Sequence, residues 1–169
     1  MKILKFSFAC VLISSMVFVA CKKEAGSSSL LIMLTDAPAE WDEVNIDLKQ
    51  VNVRFSDDTA SWIALPTRDS IYNLLDLQNG LDTLIAQGTV PSNTLREVRL
   101  VLGDDNTIKV NGQSYPLTIP SGATSGLKIK VNKKLNATIE TIVLDFDAGM
   151  SVNAEQDGYK LRPVIQVKQ

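Results

Sequence analysis

From position 30 onward, apolar residues recur at every second position in short runs broken by turn formers, the period of half-buried β-strands. Residues 30–34 make a short apolar strand, ended by Thr35-Asp36-Ala37-Pro38. Val44, Ile46 and Leu48 alternate with polar partners, and Val51, Val53 and Phe55 alternate in the opposite phase. A one-residue slip exchanges the two faces of a strand, so a bulge near Lys49-Gln50 reconciles the halves. Asp57-Asp58 then turns the chain into Trp62-Ile63-Ala64-Leu65. Ile71, Leu74, Leu75 and Leu77 form an apolar stretch that closes at Asn79-Gly80. Leu81, Leu84 and Ile85 stand at helical spacing and Gly88 follows, which predicts a short helix over 81–87.

The second half repeats the β period. Val98, Leu100 and Leu102 share one face of a strand over 95–102, with Glu97 and Arg99 on the other. Asn111-Gly112 suits a type I′ turn between strands at 107–110 and 113–119. Leu127, Ile129 and Val131 alternate with Lys128 and Lys130, a long strand covers 137–148, and a last one covers 159–168 with Pro163 at an edge or bulge. About ten short strands with one or two helical turns predict an all-β, antiparallel sandwich. Roughly 140 residues enclose a core without covalent staples.

The first 29 residues follow different rules. Lys2 and Lys5 precede an apolar run over 6–20, which has the length of a signal-peptide core and falls short of a membrane-spanning helix. Phe18-Val19-Ala20-Cys21 is a lipobox, similar to those of bacterial lipoproteins, in which the cysteine is lipidated and becomes the first mature residue. The bland alternative is plain secretion with Cys21 as a free thiol. The expected division is a leader over 1–20, lipidated Cys21 and a flexible tether over 21–29, and one domain over 30–169. Stable anchoring takes more than one acyl chain, which palmitate-type lipidation supplies. Lys22 beside the anchor, where an inner-membrane protein of this kind would carry Asp, points to the outer membrane by resemblance to Gram-negative sorting signals. Neither face of that membrane is favoured.

Composition then narrows the chemistry. Loss of Lys2 and Lys5 with the leader takes 17 basic residues to 15 against 19 acidic ones, a charge of −4. No Arg-rich run remains, which argues against a nucleic-acid partner. Cys10 leaves with the leader and the chain has no histidine, so Ser-His-Asp and Cys-His nucleophiles and zinc's preferred ligands are excluded. A metal, if any, would be a hard, oxygen-bound cation such as calcium.

Several stretches, in order, resemble a family of bacterial lipoproteins carrying domain of unknown function 4382 (DUF4382). They are Thr35-Asp36-Ala37-Pro38, Leu74-Leu75-Asp76-Leu77-Gln78-Asn79-Gly80, Arg99-Leu100, Pro120-Ser121-Gly122 with Ser125-Gly126-Leu127-Lys128, Leu144-Asp145-Phe146-Asp147-Ala148 with Ser151, and Tyr159-Lys160-Leu161-Arg162-Pro163-Val164-Ile165. The resemblance implies an immunoglobulin- or transthyretin-like sandwich on an envelope lipoprotein, and no activity. Where the family tends to have Pro-Ala-Gly and an aromatic residue, this chain has Pro91-Ser92-Asn93 and Leu95; Asn93 can supply the left-handed turn residue.

Asp145 and Asp147 are the leading site candidates. On one strand they share a face, roughly 6.5–7 Å apart. Leu144 and Phe146 pointing inward would put them in solvent, yet Ile139 and Val143 share the aspartates' parity. Four readings stand: a bulge near Ile142 with solvated or Lys/Arg-paired aspartates, capping of turn N–H groups near Ala148-Gly149, a calcium site joined by Asp36, and a carboxylate pair of a glycosidase. Asp36 alone reads as an Asx-type turn before Pro38. Asp104-Asp105-Asn106 reads as a strand connection, lacking EF-hand spacing, and the Gly/Ser loop 120–126 as a shaped connection, since it lacks a phosphate loop's ending. Ser121 or Ser125 with Lys128 is a formal Ser-Lys pair. Trp41, Trp62, Tyr72, Tyr115 and Tyr159 could build a sugar-stacking face, with Trp41 the ring expected to be exposed because it sits among Glu40, Asp42 and Glu43. The expected function is a non-enzymatic, membrane-anchored binding or structural accessory domain, its partner a glycan or an envelope protein. The alternative is a carboxylate-based enzyme acting on carbohydrate.

Overall fold

The computed structural model describes residues 26–55, 61–120, 126–136 and 138–168. Within them the strands are β1 (Ser27–Thr35), β2 (Glu43–Phe55), β3 (Ile63–Leu65), β4 (Ser70–Asn73), β5 (Thr83–Pro91), β6 (Thr94–Leu102) and β7 (Thr107–Val110). They continue with β8 (Gln113–Thr118), β9 (Leu127–Lys134), β10 (Ile139–Phe146), β11 (Val152–Glu155), β12 (Gly158–Leu161) and β13 (Ile165–Lys168). A 3-10 turn (Leu74–Leu77) and the one-turn helix α1 (Ala148–Ser151) complete the set. Two sheets face each other: a small one ordered β13-β10-β1-β5, and a large one ordered β11-β12-β8-β7-β2-β6-β9 with β3 and β4 on the other edge of β2. The all-β sandwich is thus as expected, but it is not antiparallel throughout. β1 with β10 and β12 with β8 run parallel.

The core follows the alternation. Leu30, Ile32 and Leu34 on β1 and Ile142, Leu144 and Phe146 on β10 are buried, as are Val51, Val53, Val98 and Leu100 on the large sheet. Each such side chain contributes about 1.5–3 kcal/mol of burial. The bulge in β2 falls where the phase change put it: pairing steps from Leu48↔Leu102 to Gln50↔Val101, leaving Lys49 unopposed. Asn111 (φ 51°) and Gly112 (φ 79°) make the β7–β8 turn.

Five expectations are corrected. Residues 83–91 form a strand, not a helix; β5 steps from Ile32↔Ala86 to Met33↔Leu84, so Ile85 is a bulge residue and the apolar spacing is irregular. Gly88 is not a helix stop: a Cβ there would press on Leu65 and Pro66 at 3.1 and 3.3 Å. β10 keeps an unbroken register with β1, so no bulge at Ile142 switches its phase, and Ile139 is simply exposed. The strand expected over 159–168 divides at Arg162-Pro163-Val164, with β12 in the large sheet and β13 in the small one. Asn93 is not left-handed; among described non-glycine residues that conformation occurs at Asn79, Asn111 and Asn132.

β1 also opens earlier than the expected tether end, at Ser27, and Ser28 is buried with its Oγ 2.8 Å from Ser92 Oγ. Cys21 and the rest of 1–25, the Asp57-Asp58 turn, and Ser121 and Ser125 lie outside the described residues. The sandwich has two ends. At the Ser27 end β5 turns into β6 and β9 into β10; at the Asp36 end the chain crosses between sheets from β1 to β2, from β4 through the 3-10 turn to β5, from β10 through α1 to β11, and from β12 to β13.

Candidate functional site

Asp36 ties the Asp36 end together. It is 2% exposed, its Oδ1 accepts from Ala148 N at 2.8 Å, and its Oδ2 accepts from Gln78 Nε2 at 3.3 Å. Its own N–H donates to Leu77 O at 3.1 Å. One carboxylate therefore joins the β1–β2 crossover to the α1 crossover and to the segment after the 3-10 turn. The β12–β13 crossover is fastened next door: Asp147 N donates to Val164 O at 3.0 Å, and Ser151 Oγ accepts from Val164 N at 2.8 Å. Burial, with smaller pushes from Asp147 and Asp145, raises the Asp36 pKa to about 6 against the lowering by its two donors. Asp36 is more than an Asx-type turn residue; its donors come from distant segments.

Asp145 and Asp147 do come close to Asp36, but each is otherwise engaged. Asp145 Oδ2 lies 3.2 Å from Lys168 Nζ, while its Oδ1 is buried without a hydrogen-bond partner. Asp147 caps α1, its Oδ1 accepting from Met150 N at 2.8 Å, as N-terminal caps do. Pairing with a lysine and capping of a turn are thus realised, one by each aspartate. Among the described residues no three acidic side chains are grouped to hold a metal ion.

The five aromatic candidates separate. Trp41, Tyr159 and Tyr115 meet in a row, with ring centroids 6.3 Å apart at 81° and 5.3 Å apart at 50°. Trp41 is half-buried against the core, not the freely exposed ring expected. Asp42 fixes it to the hairpin: its Oδ2 accepts from Gly112 N at 2.7 Å. A cup of about 250 Å³ beside Tyr115 and Tyr159 also touches Thr118, Asp157 and Lys160. The Lys160 ammonium, 2.8 Å from Asp157, holds that carboxyl below the usual range. Tyr72 hydrogen-bonds Arg68 O at 2.8 Å, and Trp62 sits at the opposite end under Arg99 and Arg54, whose guanidinium carbons lie 3.8 and 5.3 Å from its ring centre.

A larger groove, about 830 Å³, runs between β9 and the β10–β13 pair. Lys133 and Lys168 on its wall are held by Glu140 and Asp145, each at 3.2 Å, and its described lining holds no aromatic ring. One buried acid escaped notice in the sequence. Asp47 is 1% exposed, 2.9 Å from Lys49 Nζ, and its N–H donates to Asn106 Oδ1 at 2.9 Å. The connection 103–106 wraps it, with Gly103 N donating to Asp47 O at 2.7 Å; a Cβ at Gly103 would collide with the carboxylate. Asp104-Asp105-Asn106 is thus a strand connection, as expected. Only the neighbouring Lys49 could have hinted at Asp47.

These features define a mixed-sheet β-sandwich whose crossovers at one end are fastened by a buried carboxylate, Asp36, and a buried hydroxyl, Ser151. The chain belongs to the DUF4382 family, described as a domain of unknown function, whose family model matches residues 27–163. No match was found among curated proteins or among solved structures.

Proposed function

We propose that this protein is a non-enzymatic binding module, anchored through lipidated Cys21 to the cell envelope on the outer-membrane side, that takes a glycan at its Asp36 end. The Trp41–Tyr159–Tyr115 row beside its small polar cup is the observation that carries the reading. Ring faces bind the apolar faces of sugars, and Thr118, Asp157 and Lys160 offer hydroxyl-matching partners at the edge. The larger groove lacks ring faces, and two of its ammonium groups are already paired. A carboxylate-based glycosidase draws little support, because Asp145 and Asp147 are committed to an ion pair and a helix cap.

Titration of the chain with envelope and dietary glycans, followed by thermal melting, tests the binding. A bound ligand at 100 times its Kd stabilises by about 2.7 kcal/mol, a readable shift. Tyr159→Ala should abolish the shift; a shift that survives that change locates binding elsewhere and refutes this site. The anchor is tested separately by metabolic labelling with a fatty-acid analogue, which Cys21→Ser should abolish and which persists if Cys21 is not the acceptor.

A further inference from the structure

The charges of the sandwich are sorted along its length. β6 and its partners put Arg54, Arg96, Lys130, Lys133 and Lys134 in the half that ends at Ser27, against Glu97 and Glu140 among the described residues. Even with Asp57 and Asp58, which the undescribed 56–60 contribute, cations outnumber acids there, while the chain as a whole carries −2. The outward face of this half is also built at a cost. Arg99 stands directly opposite Lys128 on the neighbouring strand, and like charges so placed destabilise a sheet. The Arg99 Nε is buried without a hydrogen-bond partner, and its guanidinium carbon lies over Trp62, 3.8 Å from the ring centre. Fold stability alone does not call for a Lys128–Arg99 pair on an outer face; an anionic surface laid against it does.

We propose that this basic half is a docking surface for the phosphate headgroups of the membrane that holds Cys21. The inference rests on the anchor proposed above. From Cys21 to Ser27 the chain spans about 20 Å at full extension, so the Ser27 end cannot leave the headgroup layer by more than that. Charges act over about 8 Å at physiological salt. At about 3.3 Å per residue, the basic positions on β6 and β9 fall within about 20 Å of that end, and the acidic Asp36 end points away. Acyl chains and a basic patch together make the two signals that firm membrane attachment uses. The aromatic row would then face outward from the membrane.

The two tryptophans stand at opposite ends and serve as native reporters. The full chain, made with its leader and purified from membranes, is reconstituted in phosphatidylcholine vesicles with or without phosphatidylglycerol, each carrying a quencher at headgroup depth. In Trp41→Phe, the Trp62 emission should be quenched severalfold more on the anionic vesicles, and 1 M salt should erase the difference. Replacing Arg96, Lys130 and Lys134 by Glu should erase it too. In Trp62→Phe, Trp41 should be quenched weakly on both. Charge-blind quenching of Trp62, or stronger quenching of Trp41, overturns the docking surface. So does displacement from anionic vesicles by a soluble polyuronate at constant ionic strength, which would assign the face to an acidic polysaccharide. The chain begun at position 21 with Cys21→Ser keeps every core residue and separates the two proposals. It should sediment with anionic vesicles about tenfold more than with neutral ones at low salt. That result with no lipid on Cys21 defeats the anchor alone; lipid on Cys21 with charge-blind quenching defeats the docking surface alone.

Discussion

At the Ser27 end of the sandwich the connections are joined by backbone bonds, Ser92 N to Gly26 O and Leu135 N to Asn93 O, and the side-chain acceptors there act locally, Asn93 Oδ1 on Thr94 N and Glu140 Oε1 on Asn136 N. At the Asp36 end four crossovers meet, and the groups that join them are the buried Asp36 carboxylate, the buried Ser151 hydroxyl and the backbone bond from Asp147 N to Val164 O. Where an acceptor lies close in sequence, a connection satisfies its own N–H groups; where crossovers distant in sequence bury N–H groups that no strand partner reaches, a buried side-chain acceptor must meet them. The second end is accordingly the one whose stability depends on single polar residues and on pH.

Asp36→Ala is the sharpest way to break that contrast. It strands the Ala148 N–H and the Gln78 amide, and should cost about 2–3 kcal/mol in denaturant unfolding. A loss below a few tenths of a kcal/mol would mean the crossovers hold without it. The pH dependence comes next in size. The folded Asp36 carboxyl titrates near 6, above its unfolded value of 3.8, so folding favours its protonated form. Its contribution is fully present below about pH 4 and lost as pH rises through 6, on the order of 3 kcal/mol over the whole range. Melting temperature should therefore gain on going from pH 7.5 to 5 relative to Asp36→Asn, which keeps an acceptor for Ala148 and has no proton to exchange. Equal pH profiles for the two proteins would contradict this.

Gly103→Ala sharpens the comparison from a second buried acid. Asp47, unlike Asp36, has an ammonium partner, and its difficulty is space: a methyl at 103 should cost about 1–3 kcal/mol through displacement of the carboxylate. Unchanged unfolding would mean the 103–106 connection yields freely. The smallest effect is expected of calcium. Asp36, Asp145 and Asp147 each have protein partners, so calcium and EDTA should give the same melting curve. A rise with calcium that Asp145→Asn and Asp147→Asn together abolish would restore the metal reading.

What the sequence carried well was alternation. The reversed phase in β2 could be satisfied only by a bulge, and Asn111-Gly112 only by a turn with two positive φ angles. The same rule failed at 81–87 because Leu81, Leu84 and Ile85 stand at helical spacing, yet Leu81 is exposed ahead of β5 and Ile85 sits in a bulge. It also overread β10, treating exposed Ile139 as a core residue and so requiring a phase change that the strand does not have. Pro163 marked an interruption but not its consequence, since a change of sheet is set by what lies at both ends of the sandwich. For the site, Asp145 and Asp147 were visible as candidates because they share one face of a strand, and Asp36 because it stands in a turn sequence before Pro38. Their division into staple, ion pair and cap was not, because the partners Ala148, Lys168 and Met150 become neighbours in different ways once the sheets close. Asp47 was invisible for a simpler reason: it sits between two core residues at the outward parity, and only the loop folded over it makes it buried.

The central claim is that the aromatic row at the Asp36 end holds a glycan. Its most direct test is the emission of Trp41 in the Trp62→Phe chain, titrated with the glycan that most raises the melting temperature. That emission should change saturably in the Trp62→Phe chain and stay unchanged when Tyr159→Ala is added. Stabilisation by the glycan with Trp41 silent, or a Trp41 response that Tyr159→Ala leaves intact, would contradict it.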